Sequence, residues 1–238
     1  MAATLLHDDD LDGELEEELD EDLEDGKEPV HYTIKSIPAS LRASALQSVA
    51  ERESWIISEL MQENAKEYAE CLGFSNPSIY YNVGYGHEYA YVEEQGSRSL
   101  DLDELTRGAT TKDVPFRREC STYASLGEAI EFARENNYSA SARIIVHGGS
   151  SSDWRELEVT LEQAVDDDDM LPRHHMVREQ AEKMVEEAFE SLVDAIEREL
   201  LSSLRSDYEY FDSEAYLVEV AESHELLFDE DGDIVAKP

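Results

Sequence analysis

The chain reads as an α+β protein, a small antiparallel sheet packed by two long helices and preceded by a disordered acidic tail. Three observations predict this. Short runs of period-two alternation recur along the sequence and are joined by hairpin-type connections, which favours antiparallel pairing. Two long stretches, 41–72 and 172–204, carry apolar residues at helical spacing. Residues 1–28 hold 14 acids against one lysine and are low in complexity, so they cannot offset the entropy of ordering themselves. The organisation predicted is a tail over 1–28, dispensable for folding, and a single α+β domain over 29–238.

In the tail, leucines at 11, 15, 19 and 23 have helix-compatible spacing, but dense like charge opposes an isolated helix. Gly26 and Pro29 mark the entry to the folded region. Val30, Tyr32 and Ile34 alternate with His31, Thr33 and Lys35, a half-buried strand that Pro38 ends. From Leu41 to Leu72, Leu46, Val49, Ala50, Ile57, Leu60, Met61 and Tyr68 form one broad helical stripe, stopped by Gly73, with Trp55 off the stripe. Ile79, Tyr81, Val83 and Tyr85, then Tyr89 and Tyr91, give a tyrosine-rich hairpin or two short strands. Residues 98–116 read as a loop with one short helix, and Leu126–Asn136 as helix. Ala142–Val146 and Leu157–Leu161 are strands joined by the turn-rich run 148–152. Pro172 opens the longest helix, to about Leu204. Ser213 caps a shorter one, and an Asp231-Gly232 turn closes a terminal hairpin.

Charge restricts the partners more than the fold. The net charge is -39 on 238 residues, and residues 1–28 account for -13 of it, so the body itself is strongly acidic. Such a surface repels nucleic acid and anionic membrane and steers toward basic grooves, so neither direct nucleic-acid binding nor membrane binding is expected. No stretch reaches the length of an apolar span, and the N-terminus is acidic where a secretory signal would be basic and then apolar. A soluble protein of the cytoplasm is expected. Cys71 and Cys120 lack any zinc-type spacing and read as reduced thiols.

Candidate chemistry is sparse. Asp8, Asp10, Asp12 and Gly13 open like an EF-hand, but Leu19 stands where the bidentate glutamate belongs. His174 and His175 follow the Asp166, Asp167, Asp168 and Asp169 run without a spacing that fixes a metal. Gly148-Gly149 lacks the lysine and helix of a phosphate loop. No enzyme and no cofactor is expected. One pattern does stand out: Glu179, Glu182, Glu186, Glu190, Asp194 and Glu197 are spaced 3, 4, 4, 4 and 3, which places six carboxylates along one side of a helix. Val177, Ala181, Met184, Ala188, Leu192 and Ala195 are expected on the opposite side. This row, with the Asp166–Asp169 run, is the predicted partner-binding surface.

Ile79-Tyr80-Tyr81-Asn82-Val83-Gly84-Tyr85-Gly86-His87-Glu88-Tyr89-Ala90 resembles the aromatic strand motif of a family of uncharacterised acidic accessory proteins of tailed bacteriophages and prophages. The segments Arg198–Leu201, Ser206–Tyr210, Ser213-Glu214 and His224–Gly232 are similar to that family's closing helix, its Tyr-Glu-Tyr step and its terminal hairpin. In place of the family's Ser-Gln-Gly-Asp-Gly-like turn this chain has Gly86-His87-Glu88. The resemblance implies a phage or mobile-element origin and carries no established activity. Acidic phage accessory proteins are often inhibitors of host nucleic-acid-binding machinery, including restriction and CRISPR systems.

The leading expectation is therefore a phage-encoded, non-enzymatic inhibitor presenting a nucleic-acid-mimicking surface to a basic host protein, with a homodimer left open. Three alternatives stand beside it, one of them an enzyme whose site is assembled from dispersed residues. Six lysines against thirteen arginines within so acidic a chain also fit adaptation to high salt. An antitoxin-like binder of one basic protein would need the same charge.

Overall fold

The computed structural model describes residues 30–84, 86–95, 99–107, 114–147, 154–163 and 172–235. The tail 1–28, the EF-hand-like run and Asp166–Asp169 lie outside them. The α+β class holds, but the strands form three separate antiparallel sheets among the described residues where one was expected. The first joins β1 (Tyr32–Thr33) to β7 (Leu227–Phe228) and β8 (Ile234–Val235). The second is the tyrosine hairpin of β2 (Pro77–Asn82) and β3 (Tyr89–Glu94). The third orders β4 (Leu100–Asp101), β5 (Tyr138–His147) and β6 (Trp154–Gln163), with β6 at an edge. Strand pairing is a non-local choice: Tyr32 faces Phe228 across nearly the whole chain.

Helix α1 (Arg42–Leu72) has a stop set by Gly73, at φ +115°, whose N–H donates to the Glu70 carbonyl. Two short helices, α2 (Leu102–Arg107) and α3 (Pro115–Glu119), replace the single one expected before α4 (Ser121–Glu135). The latter begins at Ser121, ahead of the expected Leu126, and Tyr123, on the same buried face as Leu126 and Ile130, donates its hydroxyl to the Leu72 carbonyl at 2.8 Å. Burial also pushes that phenol well above its ordinary pKa. The longest helix, α5 (Pro172–Phe211), outruns its expected end by two turns, and Ser213 then caps α6 (Glu214–Ser223) by accepting the Tyr216 N–H.

Apolar packing gathers in two clusters. The larger joins Met61, Ala65, Ala69 and Leu72 of α1 to the β2–β3 hairpin, α4, the inner faces of β5 and β6, and the face of α5 from Ala181 to Phe211. The smaller joins Ala45 and Val49 of α1 to Ile34, Ile37, Leu217, Val220 and Phe228. Helix α1 thus serves both, its two halves buried against different partners.

The tip of the hairpin is fastened to α5. Gly84 stands at φ +91°, its N–H donates to Glu88 Oε1 at 3.0 Å, and Glu88 Oε2 accepts from Arg205 Nε at 2.7 Å. A Cβ on Gly84 would lie 2.8 Å from the Tyr208 ring, so a left-handed backbone and close approach both require glycine. Gly84→Ala should lower stability by about 1–2 kcal/mol, read as a shifted urea midpoint at unchanged slope. An unmoved midpoint would remove the hairpin tip from the packing argument.

Candidate partner-binding surface

The carboxylate row on α5 is shaped by the strand beside it. Residues at odd positions in β6 face inward, so Arg155 shares a row with Leu157, Val159 and Leu161, opposite Val146, Ile144, Ala142 and Ala140 of β5. A guanidinium in that row needs acidic partners, and α5 supplies them. Arg155 Nε donates to Glu197 Oε2 at 2.7 Å and its Nη2 donates to Asp194 Oδ1. The arginine side chain is 15% exposed and Glu197 is 8% exposed. Burial pushes the Glu197 carboxyl up to about 7, against the downward pull of Arg155, and the charge of Asp194 adds to the rise. Its other oxygen, Oε1, is buried with no hydrogen-bond partner among the described residues.

The row therefore divides in two. Asp194 and Glu197 are tied to Arg155, while Glu182, Glu186 and Glu190 make no ion pair with a described residue. Glu179 lies 3.4 Å from His175, one turn earlier, with both side chains in solvent. The apolar face is only partly where the spacing placed it, with Ala181, Leu192 and Ala195 buried as expected. Ala181, Val185, Phe189, Val193 and Ile196 are buried, and each precedes a member of the row by one residue. At about 100° per residue the carboxylates flank the buried seam instead of opposing it. Hence Glu182 is half-buried, Glu186 and Glu190 are exposed, and the row meets the body at Glu197. Val177, Met184 and Ala188, expected to be core, are only partly buried.

Further carboxylates line the outward face of β6, where Glu156, Glu158 and Glu162 alternate with the inward row. On an edge strand such charges oppose pairing with another chain. Arg143 faces Glu158 across the ladder, and His147 stacks on Trp154 at 4.1 Å. The described residues hold no group of three or more His, Cys, Asp or Glu side chains that could bind a metal. No described helix is long and apolar enough to cross a membrane.

The residue that sequence spacing missed is Arg155. Extending the alternation of 157–161 back by one step would have placed a cation in an inward position and signalled its need for carboxylates. Comparisons of the chain with protein-family models, curated proteins and solved structures found no match in any of the three.

Proposed function

We propose that the protein is a non-enzymatic binder that offers an acidic surface to a basic, nucleic-acid-binding host protein. The observation that carries this reading is the set Glu182, Glu186 and Glu190, unpaired with any described residue along a helix of 40 residues. A helix anchored by a continuous buried seam holds its charges in place, so a partner does not have to order them. The setting that accompanies the resemblance is the host cytoplasm, with an anti-restriction or anti-CRISPR role.

Magnitude limits the mimicry. Successive carboxylates of the row are about 4.5 to 6 Å apart along the axis, whereas duplex DNA presents a charge per about 1.7 Å. One row occupies part of a basic groove and does not copy a duplex. The β6 glutamates, the tail, Asp166–Asp169 or a second protomer would supply the remaining charge.

The test is competition. Immobilised protein is exposed to nuclease-treated bacterial lysate at rising salt, and duplex DNA or RNA is then added. Retained proteins should bind nucleic acid, be released by the duplex, and be lost as exposed charges are screened beyond about 8 Å. A single retained protein indifferent to nucleic acid would favour the antitoxin-like reading instead.

Salt separates the proposal from halophilic adaptation. The thermal melt should stay cooperative from about 0.05 to 0.15 M salt, because a binder working at ordinary ionic strength must stay folded there. Unfolding in that range, reversed by molar salt, would assign the acidity to the solvent.

A further inference from the structure

A groove separate from the carboxylate row lies where α1 crosses from one apolar cluster to the other. Between Val49 and Met61 the middle turns of α1 contribute only Glu53 to the buried residues, while Ala50 packs partly against the smaller cluster and Ile57 partly against the larger. Facing them are the end of β2, the last turn of α5 and the start of α6. These walls enclose a groove of about 720 Å³ with an apolar floor that includes Leu46, Ala50, Ile57, Val83, Tyr208 and Leu217. Its α1 wall runs from Ala43 to Met61 through residues that recur at i, i+3, i+4 and i+7, a single helix face about 27 Å long.

The rim carries charge of one sign. Glu51, Asp212 and Glu214 line the groove, and no lysine, arginine or histidine among the described residues does. Glu214 accepts from Arg42 Nε at 2.8 Å, whereas Glu51 is bonded by the neutral Gln47 amide and Asp212 has no ion pair with a described residue.

We infer that this groove seats an amphipathic helix of a partner protein, its apolar face on the floor and lysine or arginine residues along its edges against Glu51 and Asp212. Length and charge together select this occupant. A straight face of about 27 Å matches a helix of about 18 residues, and helix-in-groove docking uses anchors at this spacing. The acidic N-terminal segment would set its 14 acids against the acidic rim. A second copy of a chain of charge -39 meets the same repulsion.

The probe is a fluorescein-labelled 18-residue helical peptide with leucine on one face and lysine along the edges, compared with the same peptide carrying glutamate at the edges. Anisotropy is measured on the full chain in about 0.15 M and 1 M salt, the latter shortening the Debye length to about 3 Å and silencing the separate α5 row. The lysine peptide should bind more tightly at the lower salt, and binding should persist at 1 M. Ser54→Trp fills the groove from an exposed position whose hydroxyl donates only to the Glu51 carbonyl. It should weaken binding at least tenfold at both salts. Glu51→Lys with Asp212→Lys, both at exposed sites, should reverse the preference between the peptides, and this pair decides the matter if Ser54→Trp does not fold.

Four results would overturn the inference. Folded Ser54→Trp could bind as tightly as the parent. The rim reversal could leave the preference unchanged. Deleting residues 1–28 could raise affinity tenfold, making the tail the occupant. A parent dimer in sedimentation that Ser54→Trp dissociates would make it a second copy.

Discussion

Arg155→Ala should destabilise the protein by about 3–5 kcal/mol, the range for removing one member of a buried ion pair. The reason is what it strands. Glu197 would keep its burial and lose its only hydrogen-bonding cation, with Asp194 still repelling its charge. Replacing Arg155 and Glu197 together by methionine and leucine should recover most of the loss, because neither charge is then left unpaired. Urea titration measures both. A single variant within about 1 kcal/mol of the parent would mean that water already solvates this pair.

The same site sets a pH dependence with a definite sign. Glu197 rises from an ordinary 4.5 to about 7 on folding, so the folded state holds its proton more tightly than the unfolded state. Its contribution is present below about pH 4.5 and lost as the pH climbs through 7. The stability of the parent relative to Glu197→Gln should decline across that window and level off above it. Working with the difference removes the general relief of charge repulsion that acid gives both proteins. A flat difference would show that the carboxyl titrates alike in both states.

Reversing Glu182, Glu186 and Glu190 to lysine should weaken binding of a basic partner by at least a hundredfold while the fold survives. Three acids become three bases on one helix flank, so attraction becomes repulsion over the whole contact. Surface plasmon resonance on the partner identified by competition would record the change, and its size should shrink as salt rises. Because Glu182 is half-buried beside the seam, the pair Glu186→Lys and Glu190→Lys, at exposed positions, guards against a loss that comes from packing. Undiminished binding in both variants would move the contact to the tyrosine hairpin or to the outward face of β6.

Local features were legible in the sequence, and the assembly was not. The Gly73 stop, the Ser213 cap and the Asp231-Gly232 turn depend on a few adjacent residues, and each is found where its chemistry placed it. Tyr123 stands at helical spacing from Leu126, Ile130 and Ala133, so the early start of α4 was legible too, but its hydrogen bond to the Leu72 carbonyl was not. Spacing alone gave the carboxylate row but not its neighbour. A step of four repeats equally well for Ala181, Val185, Phe189 and Val193, so acids and core run as adjacent lines. Separating them requires knowing that β6 points Arg155 at one of the two.

The division of α1 between two clusters gives one helix two clocks. Its N-terminus has no side-chain cap, and the turns around Ala45 and Val49 rest only on the smaller cluster. The turns from Met61 to Leu72 lie against α5 and the hairpin. Opening of the smaller cluster releases the first set of amides to solvent while the second stays protected until the molecule unfolds globally. Proton exchange along this helix should therefore step between two rates near Glu53, and the slower of them reports on the half of the protein that carries the acidic row.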